Sequence, residues 1–316
     1  MSLRSSLFVA AVAMAAAMGG AAAEYPDRPI TFLVPFGAGG GTDVAVRTYA
    51  PLLEKCIGPG ATVVVQNKPG ASGQLGFAEL AGSEPDGYMI STLNAPNFEI
   101  GAITGTSYTL DKFDLIGNIV GTNVTLTVAK ESPITSLADL IKVAKDSPTP
   151  MNLGTSSLGA DDHLAALRFA KMAGVKFTTL PLESAGNVRN AIMGGHVQIG
   201  SLSNSETAPF MDQLRVLAVA SENRLPSMPD VPTFRELGFD LIAGSNHVLG
   251  IRAGTPADIR AKLVDCIASI AKDPAFLEEA KKRSISLNVM SDTEVKDFIA
   301  KEDAALRALW ASEPWQ

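Results

Sequence analysis

Two stretches of this 316-residue chain carry residue types that can hold an anion without a cationic side chain. The first is Val34-Pro35-Phe36-Gly37-Ala38-Gly39-Gly40-Gly41-Thr42-Asp43. Glycine at this density lets the backbone turn sharply and approach a ligand closely, and a helix that follows offers unpaired N–H groups at its positive dipole end. No lysine follows the glycines and the spacing does not fit GxGxxG, so neither nucleotide-binding pattern is met. The competing reading is a plain strand-to-helix turn in which Thr42 or Asp43 caps the helix. The second stretch, Thr155-Ser156-Ser157-Leu158-Gly159-Ala160-Asp161-Asp162-His163, has the same logic: hydroxyls and amides between a strand and a helix. Its aspartates read either as an N-cap pair or as acceptors for an ammonium or hydroxyl of a ligand, and His163 reads as a packed histidine. Thr92 and Asn94 close a third strand, and Ser203 with Asn204 closes another. The candidate ligand contacts are therefore Phe36, Gly37, Ala38, Gly39, Gly40, Thr42, Asp43, Thr92, Asn94, Thr155, Ser156, Gly159, Asp161 and Ser203.

These residues need a scaffold that puts strand ends side by side. Ile30 to Phe36 reads as a strand, Asp43 to Lys55 as a helix, Thr62 to Val65 as a strand, Gln74 to Ala81 as a helix and Tyr88 to Leu93 as a strand. Such alternation predicts a mainly parallel sheet covered on both faces, with ligands outside the carboxyl ends of its strands. Leu115 to Val120 and Val124 to Ala129 then follow as two strands with no helix between them, which predicts a crossing into a second lobe. The alternation resumes with helix 136–145, strand 151–155, helix 162–173, strand 177–181, helix 185–193 and strands 197–202 and 216–220. A proline-rich stretch, Pro226 to Pro232, leads to the strand Val248 to Ile251, which returns the chain to the first lobe. Helices 256–272, 274–283 and 293–310 complete it. The expected organisation is a first lobe of residues 24–122 and 247–316, a second lobe of 123–246, and two crossover strands that form a hinge.

Residues 1–23 read as a secretory signal peptide, with Arg4, the apolar run Leu7 to Met18 and the ending Ala21-Ala22-Ala23. Cleavage is expected after Ala23, giving a periplasmic protein. Losing Arg4 leaves 25 basic against 33 acidic residues, a formal net charge of −8. That balance disfavours nucleic acid and anionic membranes as partners. The two cysteines, Cys56 and Cys266, could pair in an oxidising compartment, although burial as two separate thiols on helices is the favoured reading. His163, His196 and His247 show no metal-ligand spacing, so neither a metal nor a cofactor is expected.

Taken together, Tyr25-Pro26-Asp27-Arg28-Pro29-Ile30, the first glycine loop, Asn67-Lys68-Pro69-Gly70-Ala71-Ser72-Gly73, Pro85-Asp86-Gly87-Tyr88, Leu217-Ala218-Val219-Ala220 with Arg224, and Pro229-Asp230-Val231-Pro232-Thr233 resemble the Bug family. These are extracytoplasmic solute receptors of tripartite tricarboxylate transporters. The resemblance implies a periplasmic binding protein fold of the Venus-flytrap kind, with two α/β lobes. It also implies that backbone amides of Phe36 to Thr42 with Asp43, and of Thr155 to Asp161, grip a carboxylate partly through ordered waters. Implied ligands are di- and tricarboxylates, acidic amino acids and aromatic carboxylates such as nicotinate, and implied partners are membrane transporter subunits.

Three departures from the family pattern shift the expected ligand. Asp161 and Asp162 stand where glycine and serine are usual. Pro181-Leu182-Glu183-Ser184-Ala185-Gly186 lacks the common aromatic and lysine, and Ser245-Asn246-His247 replaces an aromatic residue. Added negative charge disfavours a polyanion, so a small carboxylate or amino-acid-like ligand is expected, bound by a monomer. An exported hydrolase acting on a small carboxylate or ester is the rival reading. No GxSxG elbow and no spacing of histidine with a nucleophile supports it, and no catalytic residue is expected.

Overall fold

The computed structural model describes residues 25–312, so the leader read over residues 1–23 lies outside the described residues. The chain opens with β1 (Ile30–Val34), whose residues are almost all buried, as a strand covered on both faces must be. Next come α1 (Gly41–Ile57), β2 (Val63–Asn67), α2 (Gln74–Gly82) and β3 (Met89–Ala95). β1 pairs in parallel with both β2 and β3. α3 (Asn97–Thr104) leads to β4 (Phe113–Ala129). Then follow α4 (Leu137–Asp146), β5 (Met151–Thr155), α5 (Asp161–Ala173), β6 (Phe177–Pro181), α6 (Ala185–Met193), β7 (Ile199–Ser203), α7 (Asn204–Thr207) and β8 (Leu214–Val219). β9 (Gly244–Arg252), α8 (Ala257–Ile270), α9 (Pro274–Lys282), β10 (Leu287–Met290) and α10 (Asp292–Ser312) close the described chain.

Two sheets share the long strand β4. Its first part pairs antiparallel with β9, which continues to β3, β1 and β2 in the first sheet. From Val124 onward it pairs with β7 and β8 in the second sheet, where β5 lies parallel to β6 and β7. Each sheet has its own core. Ile30, Phe32 and Val34 pack with Val46, Tyr49 and Leu53 of α1 and with Leu263 and Ile267 of α8. Phe77, Leu93, Phe98 and Val295 fill the opposite face. In the second sheet Leu126 and Val128 meet Leu137, Leu140 and Phe169, while Val188 and Ile192 of α6 cover Leu202. Full burial of one such leucine or phenylalanine contributes about 1.5–3 kcal/mol.

The crossing point is tightly bonded. The Val124 amide donates to Ala243, Ala220 donates to Val124, and Ala243 donates back to Ala220, at 2.8–3.0 Å. Gly244 has no room for a side chain: a Cβ there would stand 1.8 Å from the Thr122 carbonyl oxygen. Buried Asn204 accepts the Asn123 amide at 2.8 Å and so ties the start of α7 to the first crossing.

Three expectations need correction. Leu115 to Val120 and Val124 to Ala129 form one 17-residue strand, because register shifts near Gly117 and Gly121 bend β4 between sheets without ending it. α3 and β10 were not expected: Asn97–Thr104 buries Glu99 among apolar residues and shows no clean helical period, and most of β10 is exposed. Finally, Cys56 and Cys266 form a disulfide instead of two separate thiols. α1 packs on α8, which brings their Cα atoms to 5.6 Å, although Cys56 itself is exposed. Replacing both cysteines with alanine should cost about 2–5 kcal/mol in urea unfolding, and reductant should lower the wild type by a similar amount; identical midpoints would show that the bridge contributes nothing.

Candidate functional site

The loop from Pro35 to Gly40 joins β1 to α1, and its shape is fixed from below. Asp43 is 3% exposed. One of its oxygens accepts the Gly39 amide at 2.8 Å, and the other accepts Arg47 Nε and Asn67 Nδ2, both at 2.9 Å. The same Asn67 nitrogen also donates to the Phe36 carbonyl at 3.0 Å. Gly39 needs its positive φ of 77° to turn its amide inward. Burial raises the pKa of Asp43, but the bonds from Arg47, Gly39 and Asn67 outweigh it and hold the carboxyl below its ordinary value. The N-cap position belongs to Gly40, which offers no side-chain acceptor. With Val44 donating to Gly40, the amides of Gly41, Thr42 and Asp43 have no acceptor within the helix.

The loop before α5 repeats this construction. Gly159 also has φ 77°, and its amide donates to His163 Nδ1 at 3.0 Å, four residues ahead as in the Gly39–Asp43 pair. Ala160, the N-cap, has φ −74° and ψ 165°, against −75° and 166° for Gly40. Accepting at Nδ1 requires a neutral imidazole with its proton on Nε2, and burial lowers the pKa of His163. The aspartates do not form an N-cap pair. Asp162 is buried, taking the Ser156 amide at 2.6 Å and the His163 amide at 2.8 Å. Asp161 lies half-buried beside it. Burial raises the pKa of both, with repulsion from Glu206 adding at Asp161 and repulsion from Asp161 and Glu206 adding at Asp162.

The segment after β2 meets the second loop. Ser72 Oγ lies 2.8 Å from Ser157 Oγ and reaches the Leu158 carbonyl at 3.4 Å, joining the first lobe to the second. Glu206, which the sequence analysis passed over, sits against the start of α1: a Cβ on Gly41 would lie 3.9 Å from Glu206 Oε1. It forms a capping box with Ser203, and the pattern Ser203-x-x-Glu206 is the signal that could have found it. Ser203 Oγ is engaged with Ser205 Oγ at 3.0 Å.

Below the first loop, Asn94 Nδ2 donates to Thr42 Oγ1 at 3.1 Å, and Asn94 faces His247 across β3 and β9. Asn94 Oδ1, Thr92 Oγ1, His247 Nδ1 and, in the second lobe, Thr155 Oγ1 are buried without a protein partner. Burial pushes the His247 pKa down to about 4, so this floor is uncharged. Gly37 and Ala38 complete the rim; a side chain at Gly37 would meet nothing within 4 Å. Phe36 packs into the apolar clusters on both faces of the first sheet. A separate cavity of 280 Å³ runs along α5, lined by Asp161, Arg168, Ile242 and Glu302; none of residues 36–43 borders it. Among the described residues no group of His, Cys, Asp and Glu could hold a metal ion.

The geometry can present amides from two opposed turns to one anionic head group, with hydroxyl and amide groups beneath it. Comparison with known proteins gives the family. Residues 47–311 match the profile of the tripartite tricarboxylate transporter family receptor. The "UPF0065 protein in gbd 5'region" of Cupriavidus necator is 30% identical, over 95% of this chain and 93% of its own. The periplasmic binding protein BugD superposes with TM-score 0.82 at 27% identity, covering 92% of this chain and 99% of its own. R. palustris Rpa4515 with adipate gives 0.83 at 25% identity, covering 91% and 98%.

Asp43→Ala should destabilise the protein by about 1–3 kcal/mol at pH 7, because it orphans the Gly39 amide. Since the folded pKa of Asp43 lies below the unfolded value of about 3.9, its ionic contribution is complete above that pH and disappears as pH falls through the folded value. Urea titrations at pH 7 and pH 3 should therefore show the gap narrowing in acid; a gap independent of pH would remove the charge from the account.

Proposed function

The chain belongs to the tripartite tricarboxylate transporter receptor family, and from that premise we propose that it captures a small carboxylate-bearing solute between its lobes in the periplasm and delivers it to membrane transporter subunits. Membership makes it a solute-binding receptor and not the exported hydrolase considered above. The observation that carries the reading is the pair of matching turns, Gly39 held by Asp43 and Gly159 held by His163, one in each lobe. We assign the carboxylate to the amides of Gly37, Ala38 and Thr42, with the hydroxyls of Thr155 and Ser156 opposite; the amides of Gly39, Gly40 and Gly159 are already bonded within the protein and shape the two turns. Asp43 has every oxygen engaged inside the protein and positions the loop without touching ligand. Thr92 and Asn94 supply acceptors beneath. Ser203 acts through its cap on Glu206.

Delivery, export by cleavage after Ala23 and action as a monomer complete the proposal. Lobe boundaries at 122/123 and 246/247 are supported by β4 leaving the first sheet after Asn123 and by β9 rejoining it from Gly244. Adipate in the R. palustris relative is a dicarboxylate. The carboxyls of Asp161, Asp162 and Glu206 near these turns favour a ligand with fewer negative charges here.

A carboxylate panel should contain compounds that raise the melting temperature and are recovered unaltered. Small-angle scattering should show compaction at saturation with such a compound; an unchanged radius would defeat the closing-cleft mechanism. Gly37→Val is a sharper probe of the site than a change at Gly39, since Gly37 lacks a positive φ and its new side chain would enter open space. This variant should keep its fold and lose binding, and retained affinity would place the site elsewhere.

A further inference from the structure

One face of the β3/β9 pair carries a row of buried polar side chains beside the first turn of α1. Strand alternation puts Thr92 and Asn94 of β3 on the same side as Ile90, and Ser245 and His247 of β9 on the same side as Leu249; both apolar residues belong to the cluster beneath α1. Asn94 and His247 stand directly opposite each other in the antiparallel register. At such a pair the Cβ atoms lie about 4.5–5.5 Å apart, so the two side chains share one space. All four polar residues are 7% exposed or less. Each keeps one polar atom without a protein partner: Thr92 Oγ1, Asn94 Oδ1, Ser245 Oγ and His247 Nδ1. One such atom is uncommon in a folded protein, and a row of them on one face points to a group that the chain itself does not supply.

The row adjoins the place assigned to the carboxylate. Asn94 Nδ2 donates to Thr42 Oγ1 at 3.1 Å, and the Thr42 amide is one of those left open at the start of α1. A substituent on the carbon next to that carboxylate would therefore lie against Asn94 and His247. Its chemistry is restricted by what faces it. No ionised group belongs to the row, since burial pushes the His247 pKa down to about 4 and leaves the ring neutral. A second carboxylate would meet the Asn94 carbonyl with no cation to answer it, and an ammonium would lose its hydration against neutral walls. A keto oxygen only accepts, which would leave Asn94 Oδ1 unsatisfied. A hydroxyl does both: its proton goes to Asn94 Oδ1, and its lone pairs are open to a donor on Thr92, Ser245 or His247. Resting on the carboxylate-receptor reading above, we propose that this row is the subsite for an uncharged hydroxyl beside the bound carboxylate, so that the receptor selects 2-hydroxy acids over their deoxy, 2-oxo and 2-amino counterparts.

The test uses the purified protein at pH 7 with probes of one carbon skeleton, 2-hydroxybutyrate in both enantiomers, butyrate, 2-oxobutyrate and 2-aminobutyrate, titrated calorimetrically into wild type, His247→Leu, Thr92→Val and Gly37→Val. Wild type should bind one enantiomer of 2-hydroxybutyrate about tenfold or more tightly than the other three acids. His247→Leu and Thr92→Val should each move that ratio toward one while the affinity for butyrate holds. Both changes remove a polar atom that has no partner in the protein, so the melting temperature of the unliganded variants should not fall. A ratio unchanged in every folded variant, with binding still abolished by Gly37→Val, would overturn the role of the row and leave the carboxylate site in place, the unpaired atoms then holding ordered water only. Equal affinity of wild type for all the probes, or failure to bind any of them, would overturn the selection of hydroxy acids. Binding of 2-hydroxybutyrate that survives Gly37→Val would overturn the carboxylate reading and the row with it.

Discussion

The bond from the Gly39 amide to buried Asp43 is the constraint from which the site takes its form. It folds the glycine loop back on its own helix, and Asn67 at the end of β2 locks that arrangement to the neighbouring strand. Because Arg47 and Asn67 satisfy the remaining acceptor capacity of Asp43, the carboxylate can be buried and charged without disturbing the cleft. The amides left over at the start of α1 are then oriented by main chain alone. Such donors have no rotamers to lose on binding, which makes them pre-organised for an anion.

That loop would be of little use without a facing surface, and the crossing strands supply one. β4 serves both sheets, and the bonds among Val124, Ala220 and Ala243 hold the two passages side by side. Gly244 allows them to approach more closely than any side chain would permit. Rotation at such a joint changes few contacts in either core, since Leu126 and Val128 belong to one cluster and Ile116 and Ile119 to another. Asn204 links the joint to α7, so the residues that carry Glu206 are anchored at the hinge itself.

Much of this was legible in the chain. The glycine loop announced itself because a run of glycines between an apolar strand and an amphipathic helix has few other uses, and the second loop could be matched to it by position. What escaped depended on distant neighbours. Cys56 and Cys266 are 210 residues apart and meet only because α1 packs on α8, a contact no local pattern reports. The role of Asp43 was half visible: its place near a helix start suggested a cap, whereas the bond runs to a loop amide. Ser203 stood out as a candidate contact, but Glu206 behind it did not, because the four residues Asn204 to Thr207 are too few to show a helical period.

The near-identity of the two turns has a consequence for how a guest is oriented. Gly39 and Gly159 share one backbone conformation, so main-chain shape alone would accept a carboxylate from either end of the molecule. The symmetry is broken by side chains: Gly41, Thr42 and Asp43 on one side correspond to Asp161, Asp162 and His163 on the other. Polarity along the cleft is thus written in three side-chain differences on a repeated frame.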